Sequence, residues 1–363
     1  MSAQAPPESR PLTEAPAGPS PSRRQSRGRL FLFLGIVGVA LIAAAVYAVL
    51  DASRIRSETE ARRNEAAAAP ADIDAVEAQK HVVLLQSDGD AYRRVAVAAP
   101  DQNSEVLLST LECQRVYFSE NKGLCVGISA YAGDAFIVDE DFNVLHKVSI
   151  TGIPSRARIS GDERYGSMTV FVQGHSYAQA GFSTRTGIVD MATGEWVIED
   201  LEEMTVLRDG KRFESIDFNF WGVTFQKDSD RFYATLGSGG KTYLIEGDIA
   251  AKEARVLREN VECPSLSPDG TRLVFKKQVN RGLLDIDWQL HVLDLATMTE
   301  RPIAEVRSVD DQVEWLDDSH ILYFLRDEGP PATIRPDVWL VSVDDDAAPV
   351  RMWERALSPS VVR

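Results

Sequence analysis

Three cysteines occur in 363 residues, Cys113, Cys125 and Cys263. So few exclude a disulfide scaffold, and their spacing excludes a paired-cysteine zinc motif. The five histidines, His81, His146, His175, His291 and His320, show no ligand spacing and read as surface or satisfied strand residues. No G-x-S-x-G elbow occurs, which excludes the nucleophile of the α/β-hydrolase arrangement. Past residue 80 no segment of useful length carries a helical apolar period. Basic residues are also in deficit, 39 against 55 acidic, for a net charge of −16. Residues 1–29 hold five arginines and two glutamates, a local +3 that leaves −19 for the rest. An acidic body without a basic stripe repels phosphates, so no nucleic acid is expected as a partner.

What is present divides the chain into four stretches. Residues 1–29 begin as a Pro-, Ala- and Ser-rich tail, with Pro6, Pro7, Pro11, Pro16, Pro19 and Pro21. Such a tail buries too little apolar surface to offset its ordering entropy and reads as a disordered cytoplasmic segment. Residues 30–50 are an unbroken apolar run without a charge, long enough to cross a bilayer as a helix of about 20 residues. Arg23, Arg24, Arg27 and Arg29 precede it, which places the N-terminus in the cytoplasm and the body outside. Arg54, Arg56, Arg62 and Arg63 follow it and weaken that asymmetry. An uncleaved anchor is expected. A signal peptide cut at Val46-Tyr47-Ala48 is the alternative, disfavoured by the length of the run and of the tail before it. Residues 51–79 read as a stalk, helix-favouring up to Pro70 and a linker beyond it.

Residues 80–363 alternate short apolar strands with turn residues, the pattern of an all-β domain. Ser267-Pro268-Asp269-Gly270 is its clearest element, a tight turn between Leu266 and Leu273-Val274-Phe275. Taking Leu266 as an anchor, equivalent apolar residues precede turns at Phe118, Ile159, Phe225, Trp315 and Leu357. The spacings are about 41, 66, 41, 49 and 42 residues, the period of a four-stranded propeller blade with one insertion. A second signal recurs: strands ending in Asp139, Asp190, Asp294 and Asp344, and less cleanly Asp248, each before a turn whose N–H groups the aspartate can bond. Six anchors predict six blades. The last has one strand left, and the first strands, near 81–86 and 91–98, lack an inner partner. Residues 356–362 are therefore expected to close the ring as the innermost strand of the first blade.

The Ser-Pro-Asp-Gly turn within such a repeat resembles that of TolB-type six-bladed β-propellers, over residues 80–363. The motif is complete at 267–270 and degenerate elsewhere. TolB carries a folded α/β domain before its propeller, where this chain has an anchor and a stalk, so TolB's partners, the Pal lipoprotein and TolA, do not carry over. The chain is more similar to membrane-anchored TolB-like proteins of high-GC bacteria, and its preference for Arg over Lys fits that source.

The expected function is non-enzymatic: an extracytoplasmic scaffold in the cell envelope that binds a protein or envelope ligand on one propeller face. The alternative is a calcium-dependent hydrolase or lactonase, with Asp217, Glu262 and Glu314 facing the channel. Against it stands an acidic, water-filled channel without a convergent ligand set. Trp288, Trp315, Trp339 and Trp353 read as inter-blade core. The insertion from Val172 to Arg185, and the segment from Met204 to Gly222 with Phe213, Phe218, Phe220 and Trp221, are candidate binding loops. Cys113 and Cys125 lie on two arms of one predicted hairpin in a compartment that permits disulfides. Two readings stand there: the pair is bonded, or a register with Phe118 opposite Leu124 turns Cys125 toward Tyr117 instead. Cys263 is expected to be a buried thiol.

Overall fold

A computed structural model describes residues 76–77, 79–127, 133–172, 183–281, 286–326 and 336–363. The tail, the apolar run and most of the stalk lie outside the described residues, as does most of the insertion after Val172. Among the described residues no helix is long and apolar enough to cross a membrane.

The strands follow one another as antiparallel meanders. The first comprises β1 (His81–Gln86), β2 (Arg94–Ala98) and β3 (Val106–Glu112). The second comprises β4 (Arg115–Phe118), β5 (Lys122–Val126), β6 (Gly133–Asp139) and β7 (Val144–Ile150). The third comprises β8 (Ile153–Ile159), β9 (Tyr165–Val172), β10 (Ser183–Asp190) and β11 (Trp196–Ile198). Then come a hairpin, β12 (Thr205–Arg208) and β13 (Lys211–Phe213), and the fourth meander, β14 (Asn219–Phe225), β15 (Arg231–Ser238), β16 (Lys241–Asp248) and β17 (Glu253–Glu259). The fifth is β18 (Glu262–Leu266), β19 (Arg272–Arg281), β20 (Ile286–Asp294) and β21 (Glu300–Pro302). The sixth is β22 (Glu314–Trp315), β23 (His320–Arg326), β24 (Pro336–Ser342) and β25 (Val350–Trp353). The final strand, β26 (Ala356–Val362), returns to pair antiparallel with β1, His81 opposite Val362 and Gln86 opposite Ala356. This is a six-bladed propeller closed by its C-terminal strand.

The anchors end inner strands: Phe118, Ile159, Phe225, Leu266 and Trp315 are the last residues of β4, β8, β14, β18 and β22. Leu357 is the exception. It lies at the start of β26, and Ser358-Pro359-Ser360, read as a turn, is strand. Pro is tolerated there because the side of β26 away from β1 carries no backbone ladder. Serine hydroxyls replace it: Ser358 and Ser360 accept from the N–H groups of Val116 and Phe118 on β4.

Closure follows from how a central strand buries both faces. Val82-Val83-Leu84-Leu85 is continuous apolar text, and alternate residues point to opposite sides. Val82 and Leu84 enter the cluster shared with Leu322 and Val338 of the sixth blade. Val83 and Leu85 enter the cluster shared with Val116 and Cys125 of the second. Comparable clusters join the second blade to the third, the third to the fourth, the fourth to the fifth and the fifth to the sixth.

The segment Met204–Gly222 is not a free binding loop. Its β12 adds to the outer edge of the fourth blade, parallel to β17, making that sheet six-stranded. Phe218 and Phe220 are buried in the adjoining cluster and Phe213 packs against it, so these aromatics are core.

In the hairpin β4–β5 the register is one residue from the expected one: Phe118 lies opposite Gly123, and Leu124 opposite Tyr117. The Phe118 ring covers Gly123 so closely that a Cβ there would come within 2.3 Å of it. Cys113, just before β4, is joined to Cys125 with Cα atoms 5.4 Å apart. Cys263 is buried and unbonded.

Candidate functional site

The inner strands share one direction. Ser358 and Ser360 meet Val116 and Phe118 in step. Arg115 donates to the Ser155 carbonyl while Arg158 stacks on Tyr117 two residues further along β4. Gly222 abuts Cys263, and the Leu266 N–H meets Thr224 Oγ1. All inner strands therefore start on one face of the disc, called upper here, and end on the lower face.

Turns on the lower face are short and closed by side chains. Asp269 accepts from Ser267 Oγ (2.5 Å), Thr271 N (2.9 Å) and Thr271 Oγ1 (2.8 Å). Asp162, Asp190, Asp248, Asp294 and Asp317 likewise accept from turn N–H groups. Asp344 differs, pairing with Arg272 at 2.5 Å. So the repeated aspartates, like the Ser267-Pro268-Asp269-Gly270 turn, build turns.

The channel narrows at its waist. Glu314 and Arg158, 3% and 6% exposed, form an ion pair across it, and Arg158 also donates to the Val313 carbonyl at 2.9 Å. Burial alone would lower the Arg158 guanidinium, but Tyr117 and Glu314 more than reverse this and hold it charged. Gln312 donates to the carbonyls of Val223 and Pro264. Between Arg115, Tyr117 and Ser358 only about 30 Å³ stays open. The waist divides two cavities, one of about 250 Å³ below and one of about 460 Å³ above.

The upper cavity is walled by Trp221, Trp288 and Phe324 and crossed by charges. Lys276, only 3% exposed, reaches Asp310 at 2.5 Å and Glu262 at 3.8 Å, and lies over the Trp288 ring at 4.4 Å. Burial raises Glu262 above the usual carboxylate range; it would raise Asp310 too, but Lys276 holds that group below it. Arg115 and Arg156 lie side by side. Burial and then the Arg156 charge lower the Arg115 guanidinium to about 10. Asp311 faces both, and burial raises it. Arg115 donates to the Ser155 and Gln114 carbonyls, and Arg156 Nη1 to the Ser155 carbonyl and hydroxyl. Arg156 Nε is buried without a hydrogen-bond partner.

These placements revise the channel reading. Glu262 and Glu314 do face the channel, but each is answered by a cation. Asp217 does not face it: it accepts from Ser215, Ser238 and the Gly239 N–H and closes a surface loop. The channel is not acidic, because arginines of β4 and β8 cross it. Calcium takes about six to eight converging oxygens. Among the described residues no three His, Cys, Asp or Glu side chains are grouped to hold a metal. With the channel carboxylates drawn to Lys276 and Arg158, the donor set does not fit calcium. Of the tryptophans, Trp315 and Trp353 are buried core, Trp339 packs beneath Arg307 at 4.0 Å, and Trp288 lines the cavity. Arg156 and Arg158 were missed in sequence, although two charges at strand spacing beside Ile159 mark an inner strand that carries more than packing.

The architecture is matched in solved structures. TolB from Acinetobacter baumannii superposes with a TM-score of 0.55 at 14% identity, over 79% of this chain and 68% of that one. The fold is that of the TolB-type propeller. A putative TolB from Agrobacterium tumefaciens aligns with a TM-score of 0.47 at 12% identity, over 76% of this chain and 89% of that one. No protein-family model matches the chain, and no curated protein matches its sequence. At these identities the TolB likeness shows the fold alone. The chemistry of the channel described above rests on this chain's own residues.

Proposed function

We propose that this chain is a non-enzymatic binding scaffold of the cell envelope. Residues 30–50 hold it in the membrane with the N-terminus cytoplasmic and the propeller, spanning 80–363, extracytoplasmic. Its ligand, a protein or another envelope component, docks on the upper face.

One observation carries the choice of face. Exposed large apolar side chains gather on the segments that open upward: Tyr92, Ile153, Phe171, Ile216, Val279 and Val306, the last 85% exposed. On the lower side Val144, Leu145, Met298 and Val350 are exposed, all in outer strands or an outer turn. Single exposed apolar residues are ordinary, but several on one face, one of them, Phe171, lining the open cavity, mark an interaction surface.

A photoreactive residue at position 306, and another at 298, tests this in the native envelope. Capture at 306 without capture at 298 is expected. Equal capture at both, or capture at 298 alone, overturns the reading.

A further inference from the structure

The upper cavity carries a charge arrangement that packing does not explain. Four cations, Arg115, Arg156, Lys276 and Arg326, line it with two carboxylates, Glu262 and Asp310. Asp311, beside the two inner arginines, brings the count to four against three. Lys276 is already met by Asp310 and Glu262. Arg115 and Arg156 are met by carbonyls and a hydroxyl, Arg156 also by the Cys263 side chain and Asp310, and the buried Asp311 faces both. Arg156 Nε has no partner, while Nη1 donates to Ser155 and the Cys263 side chain lies beside the guanidinium. Nε is thus a buried donor of this guanidinium left without a bond, and a guanidinium N–H matches a carboxylate oxygen with a charge-assisted hydrogen bond. The wall of Trp221, Trp288 and Phe324 is apolar and aromatic. A chain of net charge −16 otherwise repels anions, so this cationic pocket is a local exception.

We propose that the upper cavity binds a carboxylate joined to an aromatic or branched apolar group. The carboxylate takes the unpartnered Nε of Arg156, with Arg115 and Arg326 beside it, and the apolar group lies against the tryptophan wall. The volume, about 460 Å³, suits a single amino-acid-sized group rather than a folded segment. Such a group is found both on a small free acid and at the C-terminus of a peptide. The inference rests on the upper face being the binding face.

Titration calorimetry on the purified full chain tests it. The probes are phenylacetate, the peptide Ala-Ala-Phe with a free C-terminus, and both corresponding amides. Saturable binding of a carboxylate in the millimolar range or below is expected, with its amide at least tenfold weaker, about 1.4 kcal/mol. R156Q should weaken the carboxylate by at least tenfold. R326Q, at an exposed position, should weaken it about threefold and guards against an R156Q that does not fold. Phenylacetate binding as tightly as the peptide points to a free acid; the peptide binding at least tenfold better points to a chain terminus. An amide as tight as its acid, no saturation by either acid below about 10 mM, or folded R156Q and R326Q variants with unchanged affinity overturns the proposal. Crosslinking at position 306 in R156Q separates the two readings. If capture persists while carboxylate binding is lost, the anion site stands apart from docking; if capture at 306 is absent in the unsubstituted chain, the face itself is wrong.

Discussion

The two faces of this propeller are built from the same six blades, yet they use charge in opposite ways. On the lower face aspartates sit in short turns and are satisfied by N–H and O–H groups a few residues away. On the upper face arginines and a lysine are buried near the axis and are satisfied across blades, or left short of partners. Local satisfaction makes a part interchangeable, so the lower turns repeat. Satisfaction across blades ties a residue to one place in the ring, and the upper residues do not repeat. The lower face is thus where the repeat is built, and the upper face is where the blades of this chain differ from one another.

If both faces depend on one closed ring, opening the ring should abolish both. Removing residues 356–363 takes away β26, exposes the edge of β1 and empties part of two inter-blade clusters. That loss is of the size of a domain's whole stability, about 5–15 kcal/mol. Thermal melting of the truncated propeller should show no cooperative transition, whereas removal of residues 1–22 should leave the melting temperature unchanged. A truncation that melts like the intact chain would break the premise.

The waist joins the faces and ranks next. E314A leaves the Arg158 guanidinium buried without its carboxylate, at a cost of roughly 3–5 kcal/mol. In the double variant E314L/R158M much of that loss should return, because an apolar pair avoids the desolvation penalty. Denaturant midpoints measure both. A loss below about 1 kcal/mol would mean that the waist is wet and the pair screened.

The disulfide follows. It closes a loop with a sequence separation of 12, near the upper mouth beside Arg115. Removing such a cross-link costs about 3 kcal/mol on the chain-entropy argument. C113S/C125S should melt lower than the unreduced chain, and a reductant should shift only the unsubstituted protein. Two alkylatable thiols in unfolded, unreduced C263S would show that the pair is not bonded.

The ease with which each face can be read from sequence follows the same division. Phe118, Ile159, Phe225, Leu266 and Trp315 identify inner strands because each is followed at once by its own turn. Leu357 misleads because Ser358-Pro359-Ser360 has turn composition, and only the pairing with β1 makes it strand. The β12–β13 hairpin escapes notice because its partner, β17, lies about 48 residues further along in a parallel pairing that leaves no local pattern. Arg115 and Lys276 escape because nothing near them in sequence shows that they meet across blades, and the two charges before Ile159 mark the strand of Arg156 but not what it faces. The hairpin holding Cys113 and Cys125 was legible, but its register was not, since packing of Phe118 on Gly123 decides it.

The smallest effect separates the faces most cleanly. Asp269 lies in the lower turn and does not line the upper cavity. Its modest burial would raise its carboxyl, but Ser267 and the Thr271 N–H and hydroxyl outweigh this and hold it below the ordinary carboxylate range. A depressed carboxyl contributes stability that is fully present above the unfolded value, about 3.9, and is lost as pH falls through the lower folded value. D269N cannot give the charged form and should cost about 1 kcal/mol at pH 7, kept small by solvent screening. Its melting temperature should converge with that of the unsubstituted chain as the pH falls through the lowered folded-state value of Asp269. Carboxylate binding in the upper cavity should be the same in both proteins at pH 7. A gap in melting temperature that stays constant from pH 7 to pH 2 would show that Asp269 acts through shape and not charge. A fall in upper-face binding in the folded variant would show that the faces are coupled and that their division of labour is wrong.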